Sequence, residues 1–209
     1  MTNSKPYDAV LCDLDNVIRF YDTTHVTELE AAAGLEPGTT WSVAFSPALD
    51  GPLLLGHITR EEWVRSVAAE LTKDGRVPAA RADELARAFG SSSFSADETV
   101  VGMLRRVRAS GTPLVLVTNA TLDLEDDLAA LGLSDLADHV VSSARVGVAK
   151  PDREIYEIAA GRAGAAMDRC LFIDDRLENI EAAEALGMTG VHYREPADLH
   201  GPLAFALVG

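Results

Sequence analysis

Asp13 and Asp15 stand one leucine apart in "CDLDN", directly after an apolar run of strand length. Three other segments end in comparable groups: Thr118 and Asn119 follow "PLVLV", Lys150 sits in "GVAKPD", and Asp174 and Asp175 close "LFIDD". Each has an ordinary reading when taken singly. An Asp after a strand commonly caps a helix or turns the chain, Thr118 can be a satisfied hydroxyl, and Lys150 before Pro151 can be surface charge at a helix start. Gathered on one rim, they do something different. Several carboxylates crowded together repel one another unless a cation resolves the clash, and oxygen ligands without His or Cys point to Mg²⁺ rather than zinc.

The elements that carry these residues alternate. "DAVLCD" (8–13), "PLVLVT" (113–118), "DHVVSS" (138–143), "CLFID" (170–174) and "GVHY" (190–193) read as strands. Between them lie helical patterns: one runs from a Ser95…Glu98 capping box to about Arg108, and "LDLEDDLAAL" puts Leu124, Leu128 and Leu131 on one face. A third follows Pro151 with Ile155, Ile158 and Ala159, and the last is "RLENIEAAEAL". Such alternation predicts an α/β fold, a doubly wound parallel Rossmann-like sheet covered on both faces. In an open parallel sheet, ligands bind beyond the carboxyl ends of the strands, where the candidate residues fall.

Residues 21–95 break the alternation. "TREEWVRSVAAEL" opens on a Thr59…Glu62 capping box and "RADELARAF" repeats apolar residues at helical spacing, while "GLEPGTT" and "SPALDGP" read as turns. No strand is expected there. The expected organisation is a core of residues 1–20 and 96–209, with a helical cap of residues 21–95 inserted after the first strand.

Composition narrows the function. The 209 residues, 47% of them hydrophobic, suffice for one core with a small appendage. The formal charge of −15, with no Lys/Arg cluster to offset it, argues against nucleic acid and anionic membranes as partners, and an anionic substrate then needs a local cation. No apolar run approaches the roughly 18 residues of a membrane span, and "MTNSKPYDAV" lacks the pattern of a secretory leader, so a cytoplasmic location is expected. Cys12 and Cys170, each inside an apolar run, read as reduced core thiols.

In this order, the residues resemble the four motifs of the haloacid dehalogenase (HAD) superfamily, carried here by "DLDN", "VTN", "AKPD" and "FIDD". The resemblance covers residues 7 to 193, with an insertion where subfamily I members carry a helical C1 cap. It implies that Asp13 is a nucleophile taking a phosphoryl group as an aspartyl-phosphate. Asp15 would be the general acid and then base, its main-chain carbonyl helping to bind Mg²⁺. Thr118, Asn119 and Lys150 would hold phosphoryl oxygens, Asp175 would bind the metal directly with Asp174 assisting, and Asn179 would steady Lys150 or the metal shell.

Asn16 stands where many members have Gly, and Asn tolerates the left-handed turn required. Arg19 is either a substrate contact or a hinge residue. His25 and His57 are the histidines placed to meet a substrate, whereas Trp41, Phe45 and Trp63 read as cap core. The apolar end of the tail either docks on the core or serves a dimer, so monomer and homodimer both stand. The implied function is a magnesium-dependent phosphatase acting on a small phosphorylated metabolite such as a sugar phosphate. A mutase of β-phosphoglucomutase type, a haloacid dehalogenase and a phospho-receiver signalling module are the alternatives; the dehalogenase would need neither Asp15 as acid/base nor a metal.

Overall fold

Short apolar runs form the central sheet. In the computed structural model, which describes residues 5–73, 75 and 77–207, five parallel strands lie in the order β5-β4-β1-β6-β7. They are β1 (Ala9–Cys12), β4 (Leu114–Thr118), β5 (His139–Ser142), β6 (Cys170–Asp174) and β7 (Thr189–His192). A separate pair, β2 (Arg19–Tyr21) and β3 (Phe94–Ala96), forms a two-stranded sheet. The chain divides into two compact units, Met1–Phe20 with Ala96–Gly209, and Tyr21–Ser95.

Every residue of β1, β4 and β6 is buried, as a strand covered on both faces requires. Alternate residues serve opposite layers. Val10, Cys12, Leu114, Leu116, Leu171 and Ile173 join one apolar cluster with α6 (Glu98–Ala109) and α7 (Leu124–Ala130). Ala9, Leu11, Val115, Val117, Cys170 and Phe172 join the other, with α9 (Arg153–Ala163) and α10 (Leu177–Ala185). Both thiols are free and buried, as expected. The short α8 (Ser143–Val146) follows β5, and α11 (Ala204–Leu207) brings Phe205 to 6.1 Å from the ring of Tyr7, so the tail docks on the core. Val208 and Gly209, the end of that tail, lie outside the described residues.

The insertion holds α1 (Thr24–Ala32), α2 (Thr39–Ala44), α3 (Pro47–Leu54), α4 (Arg60–Leu71) and α5 (Ala79–Gly90) around a core that includes Trp63, Val67, Leu71, Leu85 and Ala86. Thr59 and Glu62 form the expected capping box at α4. Buried Glu30 accepts from the backbone N–H groups of Gly38 (2.8 Å) and Thr40 (2.6 Å), holding the start of α2. Trp41 and Phe45 are more exposed than expected, at 45% and 41%, although they pack with Phe89 and Trp63 as an aromatic group.

Two expectations fail locally. A strand pair, β2–β3, exists where none was read, because three-residue strands are too short to show a period. The α6 cap is Asp97, not Ser95: its carboxylate accepts from Thr99 N (2.8 Å) and Val100 N (3.2 Å), while Ser95 is taken up in β3. Among the described residues, no helix is long and apolar enough to cross a membrane.

Gly190 lets α10 lie against β7, since a Cβ there would stand 2.6 Å from Ile180 Cγ2 and 2.8 Å from Glu184 Oε1. Ile180 is buried and branched, so it yields little. Gly190→Ala is expected to lower unfolding stability by about 1–3 kcal/mol in urea denaturation. Gly102→Ala, in open space on α6, is expected to cost nothing. Equal behaviour of the two variants would refute this packing account.

Candidate active site

Strand alternation places Asp13 on the Leu11 side of β1 and Asp174 on the Phe172 side of β6. Because β1 and β6 pair, with Cys12 opposite Ile173, the two carboxylates emerge as neighbours. Lys150, from the segment before α9, meets both: its Nζ lies 2.8 Å from Asp13 Oδ1 and 2.7 Å from Asp174 Oδ2. It also sits 5.8 Å from the Phe172 ring centroid. All three groups are buried.

The supports are local and specific. Asp13 Oδ1 also accepts from the Leu14 backbone N–H at 2.7 Å, while Oδ2 has no hydrogen-bond partner among the described residues. Asp174 Oδ1 accepts from Asn179 Nδ2 (2.9 Å) and the Arg176 backbone N–H (2.8 Å). Asn179 therefore steadies Asp174 rather than Lys150, and Tyr156 in turn donates its hydroxyl to the Asn179 carbonyl at 3.0 Å. Asn119, expected to face a phosphate, instead uses both ends of its amide on the backbone of Lys150: Nδ2 to the carbonyl at 2.9 Å and Oδ1 from the N–H at 2.7 Å. It holds the lysine's main chain in place.

Asp175 is less enclosed. Its Oδ2 accepts from Asn16 Nδ2 at 3.0 Å, and its carbonyl lies 3.0 Å from His192 Nε2. Asn16 adopts the left-handed backbone anticipated for it, with φ 60°. Thr118, at the end of β4, is buried, and its Oγ1 has no partner among the described residues. A buried hydroxyl without a partner is costly, so this one suits a ligand oxygen.

Burial and the neighbouring negative charges of Asp174 and Asp15 push the Asp13 carboxyl up to about 7, against the pull of Lys150. Burial also works against the charge on Lys150, but Asp13 and Asp174 outweigh it and hold the ammonium above its ordinary value. Burial raises Asp175 as well, with the Asn16 hydrogen bond opposing it. Three carboxylates here face one ammonium. One oxygen from each of Asp13, Asp174 and Asp175 lies within 4.8 Å of the others, and this oxygen-only donor set fits a hard divalent cation.

Asp15 has different surroundings. Its carboxylate stands outside that group and lies on Arg19, with Nε to Oδ1 at 2.6 Å and Nη2 to Oδ2 at 3.0 Å. Arg19 is buried, and its Nη1 donates to Asp127 Oδ2 at 2.8 Å, so it is committed to carboxylates rather than offered to a substrate. No motif marked Asp127, which lies 108 positions from Arg19 in sequence and is met only through the fold. His25 and His57 are both exposed on the insertion. His25 lines an open cleft of about 730 Å³ with Asp22, Asp83, Glu84 and Arg87; His57 is not among its lining residues.

Residues 7–187 match the haloacid dehalogenase-like hydrolase family. The chain belongs to that family. This HAD-like hydrolase is 27% identical to a phosphatase of Mycobacterium tuberculosis over 183 residues, covering 86% of this chain and 84% of that protein. It is 33% identical over 97 residues to a sesquiterpene phosphatase of Aspergillus oryzae, where the match spans 46% of this chain but only 50% of the relative. An HAD family enzyme from Bacteroides thetaiotaomicron, solved in complex with magnesium and inorganic phosphate, shares the fold with a TM-score of 0.67. Its identity is 19%, over 89% of this chain and 93% of that one.

Removing the ammonium should expose how much of the HAD-like hydrolase's rim depends on it. Lys150→Met is expected to destabilise the protein by about 3–5 kcal/mol in urea unfolding with a chelator present, because two buried carboxylates lose their shared counter-ion. A loss below about 1 kcal/mol would show that something else holds them.

Proposed function

We propose that this hydrolase is a magnesium-dependent phosphatase acting on a small phosphomonoester, such as a sugar phosphate, through an aspartyl-phosphate. The observation that carries the reading is the buried Asp13 carboxylate, with Oδ1 tied to Lys150 and the Leu14 N–H and Oδ2 left without a hydrogen-bond partner among the described residues. Such an arrangement orients a nucleophile. The magnesium and phosphate bound by the Bacteroides relative, and the phosphatase named in Mycobacterium, support the same chemistry.

Asp13, Asp174 and Asp175 would hold the cation, with the Asp15 main-chain carbonyl as the family resemblance implies. When bound, Mg²⁺ would supply neutralisation of the phosphoryl charge. The chain's own groups do the rest. Lys150 and the otherwise unpaired Thr118 hydroxyl would bind phosphoryl oxygens, and Asn119 would keep Lys150 in register.

In the first step, Asp13 Oδ2 bonds to phosphorus as the bond to the leaving oxygen breaks, and Asp15 passes a proton to that oxygen. In the second, water attacks phosphorus, Asp15 takes its proton, and the Oδ2–phosphorus bond breaks to release inorganic phosphate. The cap would select the leaving group.

Phosphate release from 4-nitrophenyl phosphate, measured with Mg²⁺ and after thorough chelation, tests this reading. Wild-type protein is expected to turn over repeatedly only with the metal, and Asp13→Asn to fall to background while remaining folded. Asp15→Asn should lose about 10²–10⁴-fold and accumulate phosphoenzyme. Full activity in Asp13→Asn would overturn the mechanism; activity that survives chelation would overturn the metal.

A further inference from the structure

The proposed acid and base, Asp15, is the one reactive carboxylate held away from Lys150. Its partner is a side chain built into the same turn. Arg19 N donates to the Leu14 carbonyl at 2.8 Å and Asn16 N donates to the Arg19 carbonyl at 2.9 Å, closing residues 14–19 into a small frame around the left-handed Asn16. From that frame the guanidinium reaches back in a two-pronged contact to both Asp15 oxygens, and its third nitrogen is anchored on Asp127 of α7. A planar fork on a carboxylate sets the plane of the acceptor as well as its position, which a point charge does not.

We propose that Arg19 and Asp127 are positioning residues for Asp15. The Arg19 fork selects the Asp15 orientation from which it serves the leaving oxygen. Asp127 keeps the guanidinium in place when an Asp15 oxygen turns from the fork to the substrate. The energetic reason is burial: Arg19 is only 3% exposed, and a buried guanidinium that gives up a counter-ion is strongly disfavoured. With Asp127 at 2.8 Å, one carboxylate stays on the cation throughout. Without Asp127, the guanidinium draws more strongly on Asp15 and holds it to the fork. The inference rests on the phosphatase reading, because only there does Asp15 have a leaving oxygen to protonate.

The test compares kcat/KM for phenyl phosphate and 4-nitrophenyl phosphate, two esters of similar shape whose leaving groups differ in their need for a proton. Arg19→Lys keeps the charge and loses the fork; Asp127→Asn removes the anchor's negative charge. Each is expected to lower kcat/KM for phenyl phosphate at least tenfold more than for 4-nitrophenyl phosphate. When Asp15→Asn is already present, adding either change should cost less than about twofold more, since general acid catalysis is then already lost.

Equal falls with both esters, or a full further fall in the Asp15→Asn protein, would reduce the pair to a structural role and overturn the inference while leaving the phosphatase reading in place. Wild-type protein that releases phosphate from neither ester in the presence of Mg²⁺ would remove that reading and the inference with it. Should Arg19→Lys fail to fold, Asp127→Asn carries the same comparison.

Discussion

The ammonium of Lys150, shared between Asp13 and Asp174 at 2.8 and 2.7 Å, is the interaction around which the rest of the site is organised. Two carboxylates as buried as these cannot share the carboxyl edge of a parallel sheet on their own, and the nearest neighbours are spent on keeping the lysine and its acceptors in place. Asn119 holds the lysine's backbone, Asn179 and the Arg176 amide hold Asp174, and the Leu14 amide holds Asp13. Even so, one ammonium does not balance three carboxylates. The remaining imbalance is the physical basis for a divalent cation here.

The sheet makes the arrangement possible by its strand order. With β1 in the centre and β4 and β6 on either side, the ends of three consecutive positions in the sheet supply Asp13, Thr118 and Asp174. Period-two alternation then sends Asp13 and Asp174 to the face covered by α9 and α10, the face from which Lys150 and Asn179 approach. The close approach of α10 to β7 at Gly190 belongs to the same design, since α10 carries Asn179.

Asp13 and Asp15 show how two residues of one type, two positions apart, come to different states. Asp13 lies under the sheet's edge with burial raising its pKa, whereas Asp15 has turned past the end of the strand onto a guanidinium. The left-handed Asn16 is what turns the chain between them and Arg19. This separation gives the proposed nucleophile and the proposed proton carrier distinct surroundings within one short loop.

Much of this was legible in the sequence because it depends on local order. Continuous apolar runs marked buried strands, their alternation with helices marked the parallel sheet, and Asp13, Thr118, Lys150 and Asp174 all lay at strand exits or just before a helix. The Thr59 cap and the Asn16 turn were readable for the same reason, being decided within a few residues. What the tertiary structure decided was pairing. Asn119 was turned from substrate to the lysine backbone, Arg19 was settled on Asp15 and Asp127, and Asn179 on Asp174, by partners 4 to 108 positions distant. Residue type and spacing fix which groups reach the rim, but a hydrogen bond goes to whichever acceptor packing brings within about 3 Å, and that distance exists only after the chain has folded.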